Sequence, residues 1–345
     1  MTGRARSLYR AAGLLVVLGI SLGLALGAPL GAVGCGATKP PAETPIARAG
    51  SERNAHEEAA RSARLPEFDE WKPTSFGSYL APKKGFPDGN VELVFHFHAG
   101  LAADKDWREN APPNAVIVAG TWGVTTAQYA NAFRDPKRFE RMMDEVMGKL
   151  RESTGNPALN MHRVSLFAWS AGFASVSRIL GQGYYDQIDS VVLLDGLHAA
   201  YMDRVPKGAV ERGIPFRKRV AVEMLATYIR LAKDAVAGKK EFFFSHSSIQ
   251  PGFYASTSEC ADELLKAVGA TKVEDTGVAG PMGITRLYHA DLGDFHVRGY
   301  SGETKGAHVA QIHLLGDAFR EFVIPHWTRL DDQGAAGSGT ALAAP

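Results

Sequence analysis

The sequence predicts an α/β protein with a mainly parallel central sheet and helices on both faces. Three observations carry this prediction. Short, continuous apolar runs recur through the middle of the chain, as strands buried on both faces require. Stretches with apolar residues at helical spacing lie between them. Strand and helix alternate along the chain, an order that parallel strands joined by crossover helices satisfy.

The elements follow in order. Residues 91–97 read as the first strand, and 115–119 is a short apolar run that reads as the second. Asp135 then suits a helix N-cap and Pro136 the first helical position. Phe139, Met142, Met143, Val146 and Leu150 follow on one face. Residues 164–168 form the next strand, 171–181 a helix, and 191–194 another buried strand. Residues 217–237 read as helical, 241–244 as a strand and 257–268 as a helix. Residues 284–299 hold one or two strands, and 307–323 form the last helix.

The flanks differ from this middle. The chain has 345 residues with 38 Lys+Arg against 37 Asp+Glu. Arg4, Arg6 and Arg10 stand in residues 1–34, which hold no acid, so the remainder is slightly acidic. That balance gives no basic stripe for nucleic acid. Hydrophobic residues at 45% and charged residues at 22% exclude a mainly disordered protein, and two cysteines exclude a disulfide framework. The three arginines precede an apolar run from Ala11 to Val33, the pattern of an export signal. Its end, Ala32-Val33-Gly34-Cys35, resembles a bacterial lipobox, although Ala32 stands where Leu is usual. The resemblance implies cleavage before Cys35, lipidation of that cysteine and a membrane-held, exported protein. With Gly36 in place of Asp, enterobacterial sorting would direct it to the outer rather than the inner membrane. The plainer alternative is a retained membrane span, since the run is long enough. Residues 35–66, with Pro40, Pro41 and Pro45, read as a tether, 67–330 as the folded domain, and the Gly/Ala/Ser-rich 331–345 as a disordered tail.

Ligand sites in open α/β sheets lie at the carboxyl ends of the strands, and four features fall there. The first is Ala168-Trp169-Ser170-Ala171-Gly172, between a strand and a helix. It resembles the Gly-x-Ser-x-Gly nucleophile elbow of the α/β-hydrolase superfamily, with Ala168 for the first glycine. Small residues two before and two after the serine are what the tight turn needs. The bland alternative is a serine N-cap. The second and third are Asp195, after 191–194, and His308, in a loop running into the last helix. They give the order Ser170, Asp195, His308, which is the chain order of that superfamily. A serine hydroxyl becomes a nucleophile when an imidazole takes its proton and a carboxylate fixes that imidazole's tautomer. Most of the superfamily carries the acid one strand later. There this chain offers Ser245-His246-Ser247-Ser248 and no acid before Glu259, so Glu259 and Asp262 are alternatives to Asp195. His313, His289 and His296 compete less well with His308. The fourth feature, His96-Phe97-His98-Ala99-Gly100-Leu101, resembles the superfamily's oxyanion loop. There Ala99 or Leu101 would offer a main-chain N–H beside that of Ala171.

Together these imply a membrane-tethered serine hydrolase of an ester-type bond, esterase- or lipase-like, acting on a small or lipid-like ester. It needs no cofactor, no metal and no nucleic acid. His98, Trp169, Trp122 and His246 are candidate binding residues, and 199–240 is a candidate cap with Tyr201, Met202, Met224, Leu225, Tyr228 and Ile229. Two other readings stand beside it. His96 and His98 alternate on a strand and so would share a face. With His198 and His246 they could form the metal site of an amidohydrolase-like hydrolase. Alternatively the fold binds without turnover, with Trp122, Trp169 and Tyr184-Tyr185 lining a cleft.

Overall fold

The computed structural model describes residues 66–203, 208, 212–214 and 218–339. The segment read as an export signal, Cys35, and all but the last residue of the stretch read as a tether lie outside the described residues. Among the described residues no helix is long and apolar enough to cross a membrane. The strands are β1 (Lys72–Pro73), β2 (Ser78–Leu80), β3 (Asn90–Phe97), β4 (Ala115–Gly120), β5 (Asn160–Trp169), β6 (Ser190–Leu194), β7 (Glu241–His246), β8 (Val273–Ala279), β9 (Thr285–Leu292) and β10 (Phe295–Tyr300). They form one sheet in the order β1-β2-β4-β3-β5-β6-β7-β10-β9-β8. The central six, β4 to β10 in that order, are parallel, and antiparallel strands flank them at both ends.

The continuous apolar runs exist because both faces are covered. Along β6, Val191 and Leu193 join one core while Val192 and Leu194 join the other. Phe242 and Phe244 of β7 likewise oppose Phe243. The helices Thr126–Ala132, Arg138–Thr154, Phe173–Ile179, Ala226–Val236 and Thr257–Val268 cover the first face. The helix Asp104–Asn110 and the helical run from Lys305 onward cover the second. The helix Arg138–Thr154 buries Phe139, Met142, Met143, Val146, Met147 and Leu150, each worth about 1.5–3 kcal/mol relative to exposure. This is a doubly wound α/β fold, a mainly parallel sheet covered by helices on both faces.

Several boundaries depart from the sequence reading. The helix predicted to start at Pro136 starts at Arg138, and the Asp135 carboxylate instead accepts from the Lys137 N–H and pairs with Arg141. Within 199–240, the helix Ala226–Val236 buries Tyr228, Leu231, Ala232 and Ala235 against the sheet, so it is a crossover helix rather than part of a cap. Ahead of it, Tyr201 pairs with Val220 in a bridge. The helices Asp104–Asn110 and Thr126–Ala132 and the strands β1, β2 and β8 went unread. Strand β8 is mostly exposed and carries no apolar run to betray it. At the C-terminus the chain stays helical beyond 323, passing through a wider π turn at Phe319–Val323 just ahead of Pro325 and on into the helix Ile324–Gly339. That helix occupies much of the stretch read as a disordered tail. Its residue Asp331 pairs with the buried guanidinium of Arg163, which ties it to β5.

Cys260, on the helix Thr257–Val268, is fully buried. Burial pushes its thiol up to about 12.

Candidate active site

The elbow begins where β5 ends. Trp169 is still extended, Ser170 has φ +50°, and Ser170–Gly172 form a tight turn into the helix Phe173–Ile179. A left-handed serine costs roughly 1–2 kcal/mol, and the turn's surroundings hold it there. A Cβ on Gly172 would lie 2.1 Å from the Phe97 carbonyl oxygen, so the turn abuts the end of β3. A Cβ on Gly196 would lie 2.3 Å from the Ser170 carbonyl oxygen, so the chain after β6 passes against the serine's own backbone. These approaches need small residues. Gly172→Ala should destabilise the fold by about 1–3 kcal/mol through overpacking. It should also lower any Ser170-dependent turnover by ~10²-fold by displacing the serine. Thermal melting and single-turnover rates measured together would check both.

Asp195 follows β6 with φ +45° and is buried. Its Oδ1 accepts from the Ser247 N–H at 2.9 Å and the Thr257 hydroxyl at 2.8 Å. Its Oδ2 lies 2.6 Å from His308 Nδ1. Burial alone would raise this carboxyl. The hydrogen bond and charge of His308, with the bonds from Ser247, outweigh it and hold the group below its ordinary value. His308 sits in the helix Lys305–Ala310, which Thr304 caps. Its Nε2 lies 2.8 Å from Ser170 Oγ. With Nδ1–H donating to a carboxylate, Nε2 is the lone-pair nitrogen and can accept from the serine hydroxyl. Serine, imidazole and carboxylate thus form one hydrogen-bonded chain at the carboxyl end of the sheet. Glu259 and Asp262 stand apart. Glu259 accepts from Tyr201 and completes a capping box with Ser256, while Asp262 pairs with Lys272.

Trp169 supports the imidazole from the side. Its Nε1–H donates to the His308 carbonyl at 2.9 Å, and its ring lies 4.6 Å from that of His308. His98 stacks on the same indole at 4.8 Å and bonds Tyr129 through Nδ1 at 2.7 Å. Burial, then the nearby charge of His308, lowers His98 to about 4, so it is a neutral ring near pH 7. The backbone at His98 and Ala99 is left-handed, with φ +70° and +59°. That turn brings the loop carrying Ala99 and Leu101 against the turn carrying Ala171, because Gly172 faces both Phe97 and His98. Leu101 is half exposed.

Other sequence-predicted residues serve elsewhere. Trp122 is partly buried and packs on Phe97, Tyr129 and Phe133 at the edge of the core. Tyr184 bonds the Pro136 carbonyl, and Tyr185 is buried and bonded to Asp234, so neither lines a cleft with Trp169. His246 is buried, donating from Nδ1 to the Ser247 carbonyl and accepting from Tyr288 at Nε2. His198 donates to the Ala255 carbonyl, and His96 accepts from Trp107. His313 bonds Asp106, His289 bonds Asp275 and His296 bonds Asp291. The four-histidine metal set does not assemble. The left-handed turn at His98 breaks the strand alternation that would have put it beside His96. Among the described residues, a group able to hold an ion occurs elsewhere and includes none of the four. Ser247 and Thr257 were missed, since a main-chain N–H and a lone hydroxyl leave no motif.

No family model matches the chain, and no curated protein matches it. Solved structures similar to it include LpqC, a poly(3-hydroxybutyrate) depolymerase from Bordetella parapertussis, at 15% identity and TM-score 0.39, over 71% of this chain and 83% of that one. A candidate aryl esterase from Burkholderia cenocepacia is similar at 10% identity and TM-score 0.37, over 76% of this chain and 100% of that one. At such distances no activity is carried from them to this chain.

Proposed function

We propose that the chain is a serine hydrolase of ester-type bonds. The observation that carries this reading is the hydrogen-bonded chain from Ser170 Oγ through His308 to Asp195, with the serine on a left-handed turn at the end of β5. Ser170 Oγ bonds to the substrate carbonyl carbon as His308 Nε2 takes the hydroxyl proton. The oxyanion so formed is met by the N–H of Ala171 and by one from the 98–101 loop, Ala99 or Leu101, each such donor worth ~10²–10³ in turnover. The C–O bond to the leaving group breaks, and His308 returns its proton to the departing alkoxide. Water then repeats the steps on the acyl-serine, releasing the acid. Asp195 stays ionised throughout, steadying the imidazolium.

The same reading makes Cys35 a lipid site that holds the enzyme at the cell envelope, since the residues before it form an export signal ending in a lipobox-like run.

A fluorophosphonate probe tests the proposal. It is expected to modify one serine, mapped by peptide mass to Ser170, and labelling should fall sharply in His308→Ala. Labelling that survives Ser170→Ala unchanged would sink it.

A further inference from the structure

The opposite end of the sheet carries a second constellation, unrelated to the serine. Glu241 opens β7, Asp294 lies in the turn between β9 and β10, and His326 stands in the first turn of the helix Ile324–Gly339. The parallel register Phe242↔Phe295 sets Glu241 beside Asp294 at the amino ends of β7 and β10. Glu241 is fully buried, and among the described residues neither carboxylate oxygen has a hydrogen-bond partner. His326 is 1% exposed, and its Nε2 is also without a partner. The three residues offer ligand atoms all within 4.8 Å of one another.

We propose that Glu241, Asp294 and His326 bind a divalent transition-metal cation of the zinc type, which pins the C-terminal helix to the sheet. Carboxylate and imidazole ligands sit about 2.0–2.2 Å from such an ion, so three donors around one ion fall within this spread. A buried carboxylate with two empty oxygens is costly, and a cation beside it satisfies a group that nothing else meets. The histidine is held as a ligand should be. Its Nδ1 lies 2.9 Å from Asp294 Oδ2, about the separation of two neighbouring ligand atoms on one ion, so Nδ1 is the nitrogen that faces the site. The other charged groups around the cluster are Arg329, paired with Asp294, and Arg298 and His296, both paired with Asp291. His296 Nε2 stands 3.8 Å from Glu241 Oε2, the next nitrogen in reach. One N and two O donors suit zinc better than calcium or magnesium, which take oxygen alone.

The test uses the purified full chain, stripped with a chelator and titrated with zinc chloride in a calorimeter and in thermal melts. One-to-one uptake is expected, with Tm rising by about 5 °C or more at a hundredfold excess over Kd. Glu241→Gln and His326→Gln should lose both, while Ser170→Ala should keep both. Should the first two fail to fold, zinc-edge X-ray absorption of the wild type decides, by showing imidazole and carboxylate in the metal's first shell. Absence of saturable uptake overturns the site, leaving a proton or water on Glu241. Uptake and Tm gain retained in both Gln variants, or a metal shell without imidazole, also overturns it.

Discussion

Ser170→Ala is expected to lower kcat for a chromogenic ester by about 10⁴–10⁶-fold while leaving the melting temperature within a degree or two. The magnitude follows from how such a chain of residues acts. Once the nucleophile is gone, the imidazole and carboxylate have no proton to move, so one substitution costs about as much as removing the whole set. The small structural effect follows from the hydroxyl's surroundings. Ser170 is only partly buried, and among the described residues its side chain bonds His308 alone. Alanine keeps the backbone atoms that Gly196 packs against. Residual rate of ~10³–10⁴ over water would remain from main-chain donors and binding. The check is steady-state kinetics beside a melt. A loss of tenfold or less would mean that some other group attacks the carbonyl.

Asp195→Asn should cost ~10⁴ in kcat with little change in the position of the imidazole. The wild-type carboxylate accepts three times, from His308, Ser247 and Thr257. An asparagine can keep its oxygen on Ser247 and Thr257, which both donate, and its amide nitrogen then faces His308 Nδ1. That nitrogen must accept, the ring proton moves to Nε2, and the lone pair that would receive the serine proton disappears. Stability adds a second readout. The Asp195 carboxyl lies below its ordinary value in the folded state. Its ionised form therefore stabilises the fold above about pH 3.9, and the gain is lost as pH falls through the depressed folded value. Wild type should be the more stable protein at neutral pH, and the gap to Asp195→Asn should narrow in acid. Denaturant melts across pH 2–7 would show it, and a gap that widens in acid would contradict the assignment.

How far the sequence disclosed this arrangement depended on how much each contact relies on side-chain type. Strands such as 191–194 were legible because both their faces are covered, which demands an unbroken apolar run. Ser170 was legible because the turn needs Ala168 and Gly172 beside it, and Asp195 and His308 because their order along the chain is restrictive. The donors that hold Asp195 were not, since Ser247 acts through its main chain. The setting of Trp122 was not legible, because an aromatic near a strand end looks the same whether it faces a ligand or packs on Phe97 and Phe133. The cluster of Glu241, Asp294 and His326 left no motif, because its members lie far apart in sequence and only the register of β7 with β10 and the course of the last helix unite them.

The burial of Cys260 has a practical consequence. The chain has two cysteines, and this one is sealed in the core with its thiol held protonated. Sealed there, it is out of reach of any disulfide partner once the domain has folded, so the folded domain needs no oxidase or isomerase. A maleimide dye added to the native protein can therefore report only on residue 35. Dye uptake would mark an unacylated cysteine, and silence until denaturation would be the signature of a chain already carrying its lipid.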